Sequence, residues 1–193
     1  MRNLRFSISV AAVLTLGTAG WVSANSIDSS NAQSPYVPRL DSPVRGLNAQ
    51  EVDDLLNGRG TGYARTAELN SHPGPRHVLD LKQELDLSSE QQQQIETLFR
   101  QMETEAKQVG QSLVQLERQL SDAFAQATIS ESEIEERTQQ LATLYGQYRS
   151  IHLRPHLAVR QLLTAAQIAK YDQLRGYSDP PVQSAPSSPT HHH

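Results

Sequence analysis

Apolar residues recur every three or four positions along two long stretches of the chain, which is the pattern of amphipathic α-helices. The apolar positions are Ile95, Leu98, Met102, Ala106, Val109, Leu113, Leu116, Leu120 and Phe124 in the first stretch, and Ile134, Leu141, Leu144, Tyr148 and Ile151 in the second. Helices joined by a turn as short as 125–130 lie antiparallel. The sequence therefore predicts a helical hairpin near 89–124 and 131–153. Because no stretch alternates as a strand would, we predict an all-α fold.

Capping boxes indicate where the helices begin. In this motif a Ser, Thr or Asn side chain accepts a hydrogen bond from an early helix N–H, while a Glu or Gln three residues later bonds back. The pairs that fit are Asn48…Glu51, Ser88…Gln91, Ser130…Glu133 and Thr164…Gln167. The first pair opens a brief helix that Gly58 and Gly60 end. The last pair opens a short final helix, from 165 to 174, that Gly176 ends.

Two prolines affect the predicted helices in different ways. Pro75 is suited to the first turn of a helix, which we expect to run toward Leu85. Pro155 interrupts the second long helix, where it removes one backbone hydrogen bond and clashes with the preceding turn. We therefore expect a kink or a break at Pro155.

The composition of the ends divides the chain into segments. Residues 1–24 have a positively charged start, an apolar run and small residues before Asn25, which predicts a cleaved signal peptide and export to the periplasm. Residues 25–46 and the tail at 178–193 are polar and rich in Ser and Pro, which predicts disorder. Residues 47–74 form a short helix and a glycine-rich connection, and residues 75–177 form the main helical domain.

Charge and residue types exclude several functions. The chain has no cysteine, so disulfides and thiol chemistry are excluded. Loss of Arg2 and Arg5 with the signal peptide would take the net charge from −4 to −6, which argues against nucleic acid as a partner. No serine has an obvious partner histidine, and the Gly58–Gly62 run lacks both the strand and the lysine of a P-loop. We predict that the protein is not an enzyme, has no stable membrane insertion and requires no cofactor.

Histidines are the strongest candidates for metal ligands. His152 and His156 are four residues apart, so they share one face of a helix as two ligands would. His77 begins an earlier helix, with Asp80 and Glu84 as oxygen donors on its following turns. Such a site would suit zinc, copper, nickel or cobalt. The alternative is that these histidines cap helix ends or make ordinary polar contacts.

Residues 149–160 form the one markedly basic stretch of an acidic chain. Arg149, Arg154 and Arg160 lie there among apolar residues, a combination that suits weak binding of partly unfolded chains. The apolar neighbours are Tyr145, Tyr148, Leu153, Leu157 and Val159. The alternative is a solvated basic helix face.

Two segments carry a family resemblance. Leu87-Ser88-Ser89-Glu90-Gln91 and Leu163-Thr164-Ala165-Ala166-Gln167 resemble the paired Leu-Thr-x-x-Gln motifs of the Spy/CpxP superfamily, and the first has Ser in place of Thr. The resemblance covers roughly residues 72–177. Residues 171–177 also look like the corresponding segment of the metal-sensor branch. That branch has a second early-helix ligand where this chain has Leu81.

The resemblance implies a four-helix hairpin fold, often a cradle-shaped antiparallel homodimer, that binds other chains or metal without ATP. A dimer also agrees with the pattern, because the hairpin alone cannot hide both apolar stripes. The function it implies is a periplasmic ATP-independent chaperone or envelope-stress accessory protein that binds unfolded clients. We expect the arginines of the basic stretch, Arg149, Arg154 and Arg160, to contact those clients. The alternative is a periplasmic heavy-metal sensor or resistance protein that uses His77, His152 and His156.

Overall fold

The computed structural model describes residues 34–178, and these residues form helices and turns with no strand among them. A 3₁₀ turn lies at Val37–Arg39, and the α-helices follow it. They are α1 (Ala49–Leu56), α2 (Arg65–Glu68), α3 (Pro75–Asp80), α4 (Ser89–Ala125), α5 (Glu131–Leu162) and α6 (Ala165–Arg175). The predicted signal peptide and all but the first residue of the predicted tail lie outside the described residues. The all-α fold is confirmed.

The long hairpin consists of α4 and α5, which pack against each other along their length. Each predicted capping box is present at the start of its helix, because the side chain and the backbone N–H of both partners bond reciprocally. At the first box, Glu51 N–H donates to Asn48 Oδ1 over 2.8 Å and Asn48 N–H donates to Glu51 Oε2 over 2.7 Å. The helix starts are thus specified locally, and these predictions are confirmed.

Pro155 does not end the second long helix. Helix α5 continues through this proline to Leu162, so the predicted end at 153 is wrong. Pro155 is buried, and Ile151 and Val159 on either side of it are buried as well. Packing of this stretch against the other helices compensates for the one backbone hydrogen bond that proline cannot donate.

Helix α3 is shorter than the sequence predicts. It ends at Asp80, and the chain continues in turns to Asp86, whose φ of 49° lies in the left-handed region. Two residues later, Ser88 caps α4. The predicted helical run toward Leu85 is therefore wrong beyond Asp80, although Leu85 remains buried.

The core has two parts. One lies at the open end of the hairpin and joins α3, the start of α4, the end of α5 and α6; its buried residues are Val78, Leu85, Ile95, Val159, Leu163 and Tyr171. The other lies along the hairpin and joins it to α1; its buried residues are Val44, Leu47, Val52, Leu55, Ala106, Leu113, Val114, Leu116, Leu141, Tyr148 and Ile151. The second part shows that α1 covers an apolar face of the hairpin.

The segment before α1 also contributes to the core. Val44 lies within the stretch predicted to be disordered, yet it is 2% exposed. That expectation does not hold at Val44, because this valine and Leu47 bury their side chains against the hairpin with α1. Among residues 34–178, no helix is both long and apolar enough to cross a bilayer.

Candidate functional site: a cavity between the hairpin and the glycine-rich connection

A cavity of about 680 Å³ lies between the long hairpin and the residues that connect α1 to α3. The glycine-rich loop at 57–62 and the end of α2 form one wall. Phe99 and Met102 of α4 also line the cavity, as do His152 and His156 of α5. His77 on α3 also borders the cavity. The three predicted metal ligands are therefore brought to one cavity.

His152 is buried, and each of its ring nitrogens faces a backbone carbonyl. Nδ1 lies 2.9 Å from the oxygen of Tyr148, one turn earlier on α5, and Nε2 lies 3.2 Å from the oxygen of Gly58. A neutral imidazole has one N–H and can satisfy one of these carbonyls at a time. In this arrangement neither nitrogen is directed at a metal position.

His156 is also buried and bonds to the connection. Its Nδ1 donates to the carbonyl of His72 over 2.7 Å. Burial lowers the pKa of His156 because it disfavours the charged imidazolium, an effect that the His72 carbonyl and the nearby Glu68 oppose. His156 is thus held as a neutral ring, with Nε2 as its remaining acceptor.

His77 and its predicted oxygen donors do not complete a coordination sphere. The His77 side chain is half-exposed, with Nδ1 at 3.9 Å from Asp80 Oδ2, and Arg76 donates to the same carboxylate over 3.1 Å. Glu84 lies in an exposed turn after α3. Within the described part of the chain, no three histidine, aspartate or glutamate side chains are grouped so that they could hold a metal ion.

The predicted client-binding arginines lie on the exposed part of α5, and two of them have intramolecular partners. Arg154 donates to Glu105 Oε2 over 2.7 Å, and Arg160 donates to the carbonyl of Ser71. Arg149 makes no hydrogen bond or ion pair with any residue of the described range. Of the expected apolar neighbours, Tyr148 and Val159 are completely buried, whereas Leu157 is 59% exposed.

Sequence reasoning missed Glu68, which joins α2 to Gly74, just before α3, and to Tyr171 on α6. Its carboxylate accepts from Gly74 N–H over 3.1 Å and from the Tyr171 hydroxyl over 2.7 Å. Burial, followed by this hydrogen bond, raises the pKa of Tyr171. A four-residue helix such as α2 has no periodic pattern, so the sequence contained no signal for this contact.

The glycines of the connection allow it to approach the histidines closely. A Cβ at Gly60 would lie 2.9 Å from His152 Cδ2, and a Cβ at Gly74 would lie 2.8 Å from His156 Cε1. A larger residue at either position would displace the connection from the hairpin. The Gly58–Gly62 run therefore serves close packing.

The capping-box glutamines also join the start of α4 to the end of α5 and to α6, at the open end of the hairpin. Gln91 Nε2 donates to the carbonyl of Leu162 over 2.7 Å and to Gln167 Oε1 over 3.0 Å, while Gln167 Nε2 donates to the carbonyl of Leu85 over 3.1 Å. Each glutamine closes its own capping box as well. This geometry defines a class of helical hairpin proteins whose open end is fastened by a pair of such motifs.

Comparison with known families identifies the class. The model of the LTXXQ motif family matches residues 75–175, and the chain belongs to this family, which is of the Spy/CpxP type. It is a non-enzymatic family of chaperone or accessory proteins that are typically periplasmic. No curated protein and no solved structure matches the chain significantly.

Proposed function

We propose that this protein is a periplasmic, ATP-independent chaperone or envelope-stress accessory protein that binds unfolded clients. The observation that carries the proposal is the exposed face of α5 in a protein of the LTXXQ family. Leu157 is three residues from both Arg154 and Arg160, and it projects 59% of its surface into solvent between them. An apolar group beside guanidinium groups suits unfolded chains, which present apolar and acidic side chains together.

Binding at such a face is weak and fast. A client that covers one exposed leucine buries only a small apolar area. The charged groups around this leucine act mainly on the rate of encounter. Arg149 supplies a guanidinium without an intramolecular partner in the described range. Arg154 and Arg160 would have to exchange their hydrogen bonds to Glu105 and Ser71 for bonds to the client. Client binding should therefore depend on ionic strength, because salt screens exposed charges.

Aggregation of reduced α-lactalbumin, followed by light scattering, tests the proposal. Equimolar protein should suppress aggregation without nucleotide. The variants Leu157→Ser and Arg149→Gln should each need several-fold more protein for the same effect. Matched controls are Leu174→Ser and Arg118→Gln, which change exposed residues elsewhere. Unchanged aggregation with wild-type protein would refute holdase activity, and equal losses in the controls would refute this face.

The homodimer expected for this family stays a prediction. Coverage of the hairpin by α1 removes part of the apolar surface that a second copy was expected to hide. Apolar residues elsewhere remain exposed, among them Leu40 and Phe124. Sedimentation equilibrium at micromolar concentration distinguishes monomer from dimer directly.

The second candidate function, metal sensing or buffering, is favoured by the shared cavity of His77, His152 and His156. Zinc, copper, nickel or cobalt would require the His152 imidazole to turn away from its carbonyl partners. His156 could keep its Nδ1 hydrogen bond to His72, because its Nε2 remains as an acceptor. Calorimetric titration of a chain that ends at Tyr177 excludes binding by His191–His193. Micromolar uptake that is lost in a His152→Ala/His156→Ala variant would support the site. No uptake, or uptake that the double variant retains, would eliminate it.

A further inference from the structure

A segment outside the matched family region covers the hairpin. Residues 44–73, called the cover below, precede the match at 75–175. The apolar anchors of the cover are Val44, Leu47, Val52 and Leu55, all of them buried. They lie against one face of α4 and α5, called the covered face below, which consists of Ala106, Leu113, Val114, Leu116, Leu141, Tyr148 and Ile151. Without the cover, the family-defining helices would expose this face to water.

Helix α1 lies unusually close to α4. A Cβ added to Gly110 would lie 1.9 Å from the Leu55 carbonyl oxygen, so the helices touch backbone to backbone at this point. The covered face therefore contains a notch, at Gly110, that admits the backbone of a short amphipathic helix. Val52 and Leu55, three residues apart on α1, are buried in the same core cluster as the covered face.

Buried polar groups of α5 hold the rest of the cover by its backbone carbonyls. The Tyr148 hydroxyl donates to the Arg59 carbonyl over 2.9 Å, and His152 Nε2, at 3.2 Å from the Gly58 carbonyl, donates to it in one of the two tautomers of the ring. His156 Nδ1 donates to the His72 carbonyl over 2.7 Å. These bonds use main-chain oxygens, so they do not depend on the side chains of the segment that they hold.

We propose that the covered face is a binding surface for short amphipathic apolar segments of other chains, and that the cover occupies it as an intramolecular competitor. This inference rests on the proposed function, since the segments would come from unfolded clients. The seated cover identifies the ligand chemistry: a helical stretch with apolar residues three apart, held by its apolar side chains and backbone rather than by charge. Clients reach this face when the cover opens, and the exposed face of α5 makes the first contact.

The first test uses an opened protein and the cover's own sequence as the probe. The variant Val52→Ser/Leu55→Ser removes two anchors and leaves every hairpin residue unchanged. A fluorescent peptide with the sequence of residues 42–58 should bind this variant at least about tenfold more tightly than wild type, because the wild-type site is occupied. The matched control is the same peptide with serine at positions 52 and 55, which should bind neither protein.

The outcomes separate this proposal from the chaperone function. Equal binding of the peptide to both proteins, or binding to neither, would overturn the cover as a competitor. Loss of helical circular dichroism in the serine variant would also overturn it, because the hairpin must fold with the cover open. The milder Asn48→Ala variant, which removes only the α1 cap, should show intermediate peptide binding. Peptide binding without suppression of client aggregation would support the covered face and refute the chaperone function.

Discussion

Gly110→Ala is the substitution that the packing of α1 makes most informative. The added Cβ would lie 1.9 Å from the Leu55 oxygen and 2.7 Å from the Leu55 carbonyl carbon, whereas real Cβ contacts essentially never fall under 3.0 Å. Helix α1 must therefore retreat by about 1 Å from α4. Such a retreat loosens Val52 and Leu55, which are buried in the same contact.

Two effects of opposite sign determine the magnitude. Alanine in place of glycine favours a helix by about 1 kcal/mol, while overpacking of this kind typically costs about 1–3 kcal/mol. Because the clash involves backbone that cannot rotate away, we expect the upper part of that range and a net loss of about 2 kcal/mol. For a chain of this size, the Tm should fall by roughly 4–8 °C.

Gly146→Ala provides the matched control. Gly146 also lies inside a long helix, and an added Cβ there meets no atom within 4 Å. This variant should gain up to about 1 kcal/mol, which raises the Tm by roughly 2–4 °C. Thermal unfolding followed by circular dichroism measures both. If Gly110→Ala has the Tm of wild type, or a Tm raised like that of Gly146→Ala, the close packing of α1 on α4 is refuted.

The remaining predictions concern the hairpin base, the buried imidazole and the buried tyrosine. Gln167→Ala removes the capping bond and the contacts to Leu85 and Gln91. It should lower the free energy of unfolding by about 1–3 kcal/mol in urea titrations. The control Gln108→Ala, on the exposed side of α4, should change this free energy little. Because the pKa of His156 is lowered in the folded chain, the unfolded chain takes up a proton first, near pH 6.5. Stability that is present above that pH is therefore lost as the pH falls. This acid loss should be smaller in His156→Asn. The raised pKa of Tyr171 has the reverse consequence. Because the unfolded chain ionises first, near pH 10, the stability of the fold declines above that pH. Tyr171→Phe should lose less stability at alkaline pH, and spectrophotometric titration follows the tyrosine ionisation.

Local signals explain what the sequence predicted correctly. Each capping box involves residues three apart, and the apolar stripes of α4 and α5 repeat over many turns, so both patterns can be recognised without knowledge of the fold. The placement of His152 and His156 on one helical face also follows from their spacing. These features define the hairpin and the class of protein.

Long-range contacts explain what the sequence could not show. Pro155 is a helix breaker by its local chemistry, but the buried residues around it keep α5 continuous. The histidines are directed to the carbonyls of Gly58 and His72, and these partners become neighbours only when the connection folds over the hairpin. Gly110 likewise carries no local signal of its role, because the backbone that it contacts, at Leu55, is distant in the sequence.

Direct binding of an unfolded client is the measurement that tests the chaperone function most closely. Labelled reduced α-lactalbumin is titrated with the full chain in the absence of nucleotide, and fluorescence anisotropy follows complex formation. We predict saturable binding at micromolar protein that weakens with added salt and is reduced several-fold by Leu157→Ser but not by Leu174→Ser. No rise in anisotropy with wild-type protein, or a rise that both leucine variants share unchanged, would contradict the account.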